Sequence, residues 1–114
     1  MHASLRAGRP VLVEEVESLA DSLGGGVGLS NRYSFALVRD LVDDVVLVSE
    51  SQIANAIRFA YRQEQQVVEG AGVVGIAALF AGLIADPGVT AIVLSGRNID
   101  MARHAEIVAN AMET

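Results

Sequence analysis

The stretch best suited to chemistry is Thr90 to Asp100, reading TAIVLSGRNID. Five residues that can form a buried strand run into Ser95-Gly96, and a new helix can start near Asp100. Strand, glycine turn and helix in that order place polar groups at the carboxyl end of a parallel sheet, where ligands bind in α/β proteins. A second constellation lies upstream. Gly70-Ala71-Gly72-Val73-Val74-Gly75 gives the pattern G-x-G-x-x-G ahead of an apolar helix, and Arg97 follows the next strand. In an NADP-binding, Rossmann-like module those glycines would approach a pyrophosphate and Arg97 would take the 2′-phosphate. Two features oppose that reading. The strand before the glycines holds only Val67 and Val68, and Glu69 would set a carboxylate beside the pyrophosphate, where repulsion is costly in a dry site. Glycines at this spacing also serve helix packing.

Other polar residues invite weaker readings. Asp43-Asp44 could suggest acid–base or metal chemistry, but between a helix and a strand such a pair reads as a solvated loop. His104 could shuttle a proton; alone on an amphipathic helix it reads as a surface residue, and His2 falls in a terminus expected to fray. Leu23 to Ser30, LGGGVGLS, can bring backbone N–H groups against an anion. Without a following Lys-Ser/Thr it reads first as a mobile turn whose glycines supply unusual backbone angles. One absence restricts the chemistry more than any motif. All eight basic residues are arginines, so no side chain of the chain can form a Schiff base with an aldehyde cofactor.

The elements that must position these residues follow in order. Pro10 confines Val11-Leu12-Val13 to an edge or loop, and Val16, Leu19, Ala20 and Leu23 have helical spacing over Glu14 to Leu23. Ser34 can cap a helix from Phe35 to about Val42 that buries Phe35, Leu37, Val38, Leu41 and Val42. After a strand at Val45 to Val48, Ser49 and Gln52 form a capping box for a helix with Ile53, Ala56, Ile57, Ala60 and Tyr61 on one face. Gly70 to Ala85 reads as a helix apolar on all sides, stopped by Asp86-Pro87-Gly88. The strand Thr90 to Leu94 and a helix from Asp100 to about Met112 complete the pattern.

Composition bounds the rest. A chain of 114 residues is one domain at most, and 52% hydrophobic residues with 4% aromatics favour close helix-on-sheet packing. A net charge of -6 gives no basic footprint for nucleic acid. The N-terminus lacks the apolar core of a signal peptide, and the longest uncharged run falls short of the roughly 18 to 20 residues a membrane span needs. Cysteine is absent, which leaves no disulfide framework or thiolate metal site and suits a reducing, cytoplasmic setting. A non-catalytic α/β interaction module, docking through the apolar helix, is the alternative to a cofactor enzyme.

Four blocks in order resemble the carboxyl-terminal third of the threonine/serine dehydratase family, the fold-type-II pyridoxal-phosphate enzymes. SLADS is similar to the family's Ala-Asp-Gly segment beside the cofactor, and LVRDLVDDVVLVSESQIANAI to its next helix, strand and helix. VVEGAGVVGIAAL resembles the Glu-containing turn and buried helix, and IVLSGRNID the Ser/Cys-Gly-Gly-Asn segment under the pyridine ring. Within the family, GRPVLVEE, LADSLGGG and EGAG with SGRNIDM look most like the hydroxyectoine-utilisation dehydratases.

The resemblance implies an α/β fold: a partial parallel-sheet domain with flanking helices, residues 1–114 forming the carboxyl-terminal part of the pyridoxal-phosphate-binding large domain. It implies that Ser95 hydrogen-bonds the pyridine nitrogen, that Glu69 and Gly96 lie near the ring, and that Ser22 stands where the family has a glycine against the ring face. Arg97 stands in place of the family's second glycine. A neutral hydroxyl at the ring nitrogen leaves the ring unprotonated, a weaker electron sink suited to β-elimination of water from a small hydroxy amino acid or hydroxyectoine-derived substrate. The family's Schiff-base lysine, phosphate loop, substrate-carboxylate loop and metal ligands all precede the matched region. The expectation is therefore a fragment of a homo-oligomeric lyase, holding no catalytic lysine and no metal site, and inactive alone.

Overall fold

Among the described residues, 1–112 of the computed structural model, five α-helices and two 3₁₀ turns form, and no β-strand. The chain divides into two compact units: residues 1–16 with 24–47, and residues 17–23 with the described part of 48–114.

In the first unit, His2–Ala7 (α1) occupies the terminus expected to fray. It closes at Gly8, whose φ of 73° lies in the left-handed region that side chains disfavour, and the Gly8 and Arg9 N–H groups return to the Leu5 and Ser4 carbonyls. Ser4 is buried, and its hydroxyl accepts the Val11 N–H at 3.0 Å, tying the segment after Pro10 to the helix. Ser34–Leu41 (α2) is capped by Asn31 rather than by Ser34. The Asn31 carboxamide oxygen accepts the Phe35 N–H at 2.9 Å, and its nitrogen donates to the Val27 carbonyl and the Ser34 hydroxyl. Of the five apolar residues expected inside, only Phe35 is buried; Leu37, Leu41 and Val42 are exposed, because the unit offers α2 little beyond the six-residue α1 to pack on. Asp43 and Asp44 are exposed, and Asp44 accepts the N–H of Val45.

The second unit is built on Glu50–Arg62 (α3). Its capping box forms as the sequence indicates: the Ser49 hydroxyl accepts the Gln52 N–H at 3.2 Å and the Gln52 side chain accepts the Ser49 N–H at 2.8 Å. Ile53, Ala56, Ile57 and Ala60 are buried, while Tyr61 is half out. The helix expected over Glu14 to Leu23 is reduced to one 3₁₀ turn, Asp21–Leu23. The reason is local: the Leu19 N–H goes to the Glu50 carboxylate and the Ala20 N–H to the Ser18 hydroxyl, so neither reaches a carbonyl one turn back.

The apolar stretch Gly70 to Ala85 is not one helix. Gly70–Gly72 forms a 3₁₀ turn and Val74–Phe80 (α4) a helix of two turns, terminated where Gly82 takes a φ of 67° and the Ala81, Gly82 and Leu83 N–H groups fold back onto the helix. Val73, Ile76 and Ala77 join Ala20, Val68 and the inner face of α3 in the core, and Phe59 meets Phe80 edge to face at 4.7 Å.

Met101–Ala109 (α5) starts at Asp100 as expected, the Asp100 carboxylate accepting the Arg103 N–H at 3.0 Å, but stops before Met112. Arg58, itself buried, donates to the Ile107 carbonyl, and Arg62 donates to the Val108 and Asn110 carbonyls. Two guanidinium groups on α3 thus satisfy the open carbonyls at the negative end of α5. His104 is a further correction to the surface reading. It is 2% exposed, set edge-on to Tyr61 at 5.1 Å, with no hydrogen-bond partner for Nε2 among the described residues.

The expected parallel sheet is not formed among the described residues. Val45 to Val48 and Thr90 to Leu94 form no ladder, and a strand exists only through its pairing with another. Ile92 tucks against Gly75, whereas Val93 is 81% exposed.

Candidate functional site

Glu69 is the point on which three segments of the second unit converge. Its own N–H donates to the Gly96 carbonyl at 3.1 Å; its carboxylate accepts the Ser22 hydroxyl at 3.1 Å through Oε2 and the Asn98 N–H at 3.2 Å through Oε1. A Cβ on Gly96 would run into Glu69 Oε1, so glycine at 96 is what allows the carboxylate to lie against this turn. Three of the four residues singled out from the sequence, Ser22, Glu69 and Gly96, are therefore together. The fourth, Ser95, precedes Gly96 in the chain; its hydroxyl is exposed and has no partner among the described residues.

A cavity of about 220 Å³ opens beside this network, lined by Glu17, Asp21, Glu69, Asn98, Asp100 and Arg103 among others. Four carboxylates against one guanidinium make a lining that repels a phosphate. With no lysine in the chain, no side-chain amine is present to condense with an aldehyde. The free Ser95 hydroxyl suits a neutral aromatic nitrogen. The cavity lining therefore suits neither the phosphate nor the aldehyde end of a pyridine cofactor, and Ser95 is not among its residues. Among the described residues, no three His, Cys, Asp or Glu side chains are placed to hold a metal ion.

The glycines of the G-x-G-x-x-G pattern have other duties, which corrects the dinucleotide alternative. A Cβ on Gly70 would enter the Leu19 carbonyl; on Gly72 it would come within 2.7 Å of Val68 and 2.9 Å of the Gly96 carbonyl; on Gly75 it would meet Ile92 at 2.7 Å. Each glycine is closed over by packing, and Gly70 and Gly72 are buried. Gly70 and Gly72 offer no open backbone to a pyrophosphate, and Arg97 is exposed.

Sequence reasoning missed two participants. Asn98 contributes a backbone N–H, which no residue type advertises. Glu50 accepts the Ser18 hydroxyl at 2.5 Å and the Leu19 N–H at 2.7 Å; its signal was its place in the first turn of a well-capped helix.

Comparison with known proteins bears on the same residues. A family model described as "Pyridoxal-phosphate dependent enzyme" matches residues 1–96. A Sinorhizobium fredii protein provisionally named threonine dehydratase is 56% identical over 109 residues, covering 95% of this chain and 33% of that protein. The L-threonine ammonia-lyase of Thermotoga maritima is 45% identical over 101 residues, 89% of this chain and 25% of the relative. The catabolic L-threonine dehydratase of Escherichia coli is 36% identical over 111 residues, 94% of this chain and 33% of the relative. The chain spans a quarter to a third of the length of these curated relatives.

Proposed function

The chain belongs to the pyridoxal-phosphate-dependent enzyme family, and from that premise we propose that it forms the carboxyl-terminal part of the cofactor-binding large domain of a threonine dehydratase-like ammonia-lyase. The observation that carries the proposal is the convergence of Ser22, Glu69 and Gly96, drawn from three separate segments; Ser95, whose hydroxyl has no partner among the described residues, precedes Gly96 in the chain. In this reading Val45 to Val48 and Thr90 to Leu94 are strands of that domain's parallel sheet, and the setting is cytoplasmic.

Pyridoxal phosphate, when bound, supplies the electron sink for a carbanion at the substrate's α-carbon. Ser95 would hold the ring nitrogen through its neutral hydroxyl, a donor that would leave that nitrogen without a proton and suits elimination. Glu69, tethered by Ser22 and Asn98, would present its carboxylate on a fixed heading toward the ring, and Ser22 would form part of the wall at the ring face. The amine and the phosphate-binding groups come from outside the residues of this chain. The substrate class is a small hydroxy amino acid, in line with relatives named for threonine and for L-threo-3-hydroxyaspartate; a hydroxyectoine-derived compound is the narrower form of the same proposal.

The test is a chimera in which this chain replaces the homologous stretch of the Sinorhizobium fredii relative, assayed for ammonia release from L-threonine. Turnover within about tenfold of that relative, a difference of about 1.4 kcal/mol in barrier, is the expected outcome. A folded, cofactor-loaded chimera without lyase activity on hydroxy amino acids contradicts the proposal.

A further inference from the structure

We infer that Glu50 is a positioning residue for the candidate site, an inference that rests on the function proposed above. Glu50 sits in the first turn of α3, where the helix dipole favours a carboxylate. Its two oxygens take two donors from one short segment 31 and 32 residues earlier: Oε1 the Ser18 hydroxyl at 2.5 Å, and Oε2 the Leu19 N–H at 2.7 Å. Ser18 then accepts the Ala20 N–H at 3.0 Å, and the Ala20 carbonyl accepts the Leu23 N–H at 2.9 Å. Each residue from 18 to 20, and the turn after it, is thereby fixed relative to α3. The same backbone lies flush on Gly70, which has no Cβ to push it away. At the far end of this turn Ser22 reaches Glu69 at 3.1 Å, and Glu69 reaches Asn98. Glu50 touches none of the cofactor-facing groups; it sets the position of Ser22, and Ser22 sets the heading of Glu69.

The chain of contacts makes distinct demands on variants. Glu50→Met keeps roughly the size and the helix propensity but removes both acceptor oxygens, so it can serve neither Ser18 nor Leu19, whereas Glu50→Gln could serve both, its oxygen accepting the Leu19 N–H and its amide donating to the Ser18 hydroxyl. Ser18→Ala removes only one of the two donors and leaves the Leu19 bond in place.

Amide hydrogen exchange on the 114-residue chain is the first arm of the test. Glu50→Met should speed exchange at Leu19 about tenfold and shift the Asn98 amide resonance, while Ile57 and Ala60 in α3 keep their protection; Ser18→Ala should speed Leu19 exchange by less. Leu19 and Asn98 signals unchanged in Glu50→Met overturn the inference. The second arm uses the chimera. Glu50→Met and Ser22→Ala should each lower kcat more than they raise KM, and the double variant should match the worse single one within about twofold, since one acts through the other. Additive losses, as a general loosening of the fold would give, also overturn it. An inactive parent chimera, with the expected exchange changes seen in Glu50→Met, sinks the proposed function and leaves the clamp standing; an active chimera, with no exchange change in Glu50→Met, does the reverse.

Discussion

Replacing Gly70 with alanine puts the packing account of the G-x-G-x-x-G glycines to a quantitative test. The new Cβ would lie inside the Leu19 carbonyl and 3.0 Å from the Ala20 nitrogen. Both obstacles are backbone, so no side-chain rotation relieves them. Restoring ordinary contact near 3.5 Å moves the Leu19–Ala20 segment by about 1 Å or more. Overpacking of that kind costs about 1 to 3 kcal/mol. The displacement also stretches the 2.7 Å bond from Leu19 to Glu50, an exposed contact, and its loss adds about 1 kcal/mol. The total is a loss of about 2 to 4 kcal/mol. In urea, with a slope near 1 to 2 kcal/mol/M for a small protein, the midpoint should fall by about 1 to 2 M or more at unchanged slope. Gly26→Ala is the control: its φ is ordinary and its Cβ would have no neighbour nearer than 3.9 Å, so it should leave stability within about 1 kcal/mol or raise it slightly. A loss below about 0.5 kcal/mol in Gly70→Ala would show that the close approach is not a constraint and would reopen the glycines for ligand contact.

Two further outcomes follow from particular side chains. His104→Phe keeps a ring edge-on to Tyr61 and removes a buried nitrogen that has no partner among the described residues. It should be neutral or stabilising by up to about 1 kcal/mol in thermal or urea unfolding, and a loss greater than that would mean Nε2 is satisfied in solution. The Arg39 guanidinium, hydrogen-bonded to Asp40 at 2.8 Å, holds the Asp40 carboxyl below its ordinary value of 3.8. A lowered folded-state value contributes stability that is complete above the unfolded value and is lost as pH falls through the folded one. Asp40→Asn should therefore change the pH dependence of Tm only on the acid side, below about pH 4. A difference between the two proteins that grows toward neutral pH would contradict this, and its size should be small because the pair is exposed.

How much was legible in the sequence divides along physical lines. The α3 capping box and its Ile53, Ala56, Ile57 and Ala60 stripe are local patterns, and the structure follows them. The Asp100 start of α5 is legible for the same reason. Elements that depend on distant partners were misread. The spacing of Val16, Leu19, Ala20 and Leu23 is helical, but Glu50, far along the chain, captures the Leu19 N–H and the helix does not form. Gly82 ends α4 by a left-handed turn inside a stretch whose hydropathy never drops. His104 is buried because Tyr61 and α3 cover it, a fact no single-helix pattern contains. The segments at 45–48 and 90–94 have strand composition but no partner strand among the described residues. At the site, the resemblance to the dehydratases pointed to Ser22, Glu69, Ser95 and Gly96, and three of them meet. Asn98 and Glu50 act through a backbone N–H and a clamp spanning 31 residues, which spacing alone does not reveal.

The central claim is that this chain carries the pyridine-ring end of a lyase site, with Ser95 on the ring nitrogen. Steady-state kinetics of the chimera with Ser95→Ala, set against the chimera with Ser95 intact, tests it most directly. The account requires kcat for ammonia release from L-threonine to fall by at least about tenfold, about 1.4 kcal/mol in the barrier, with the thermal midpoint and KM little changed. An unchanged kcat in a cofactor-loaded Ser95→Ala chimera would remove Ser95 from the site and contradict the account.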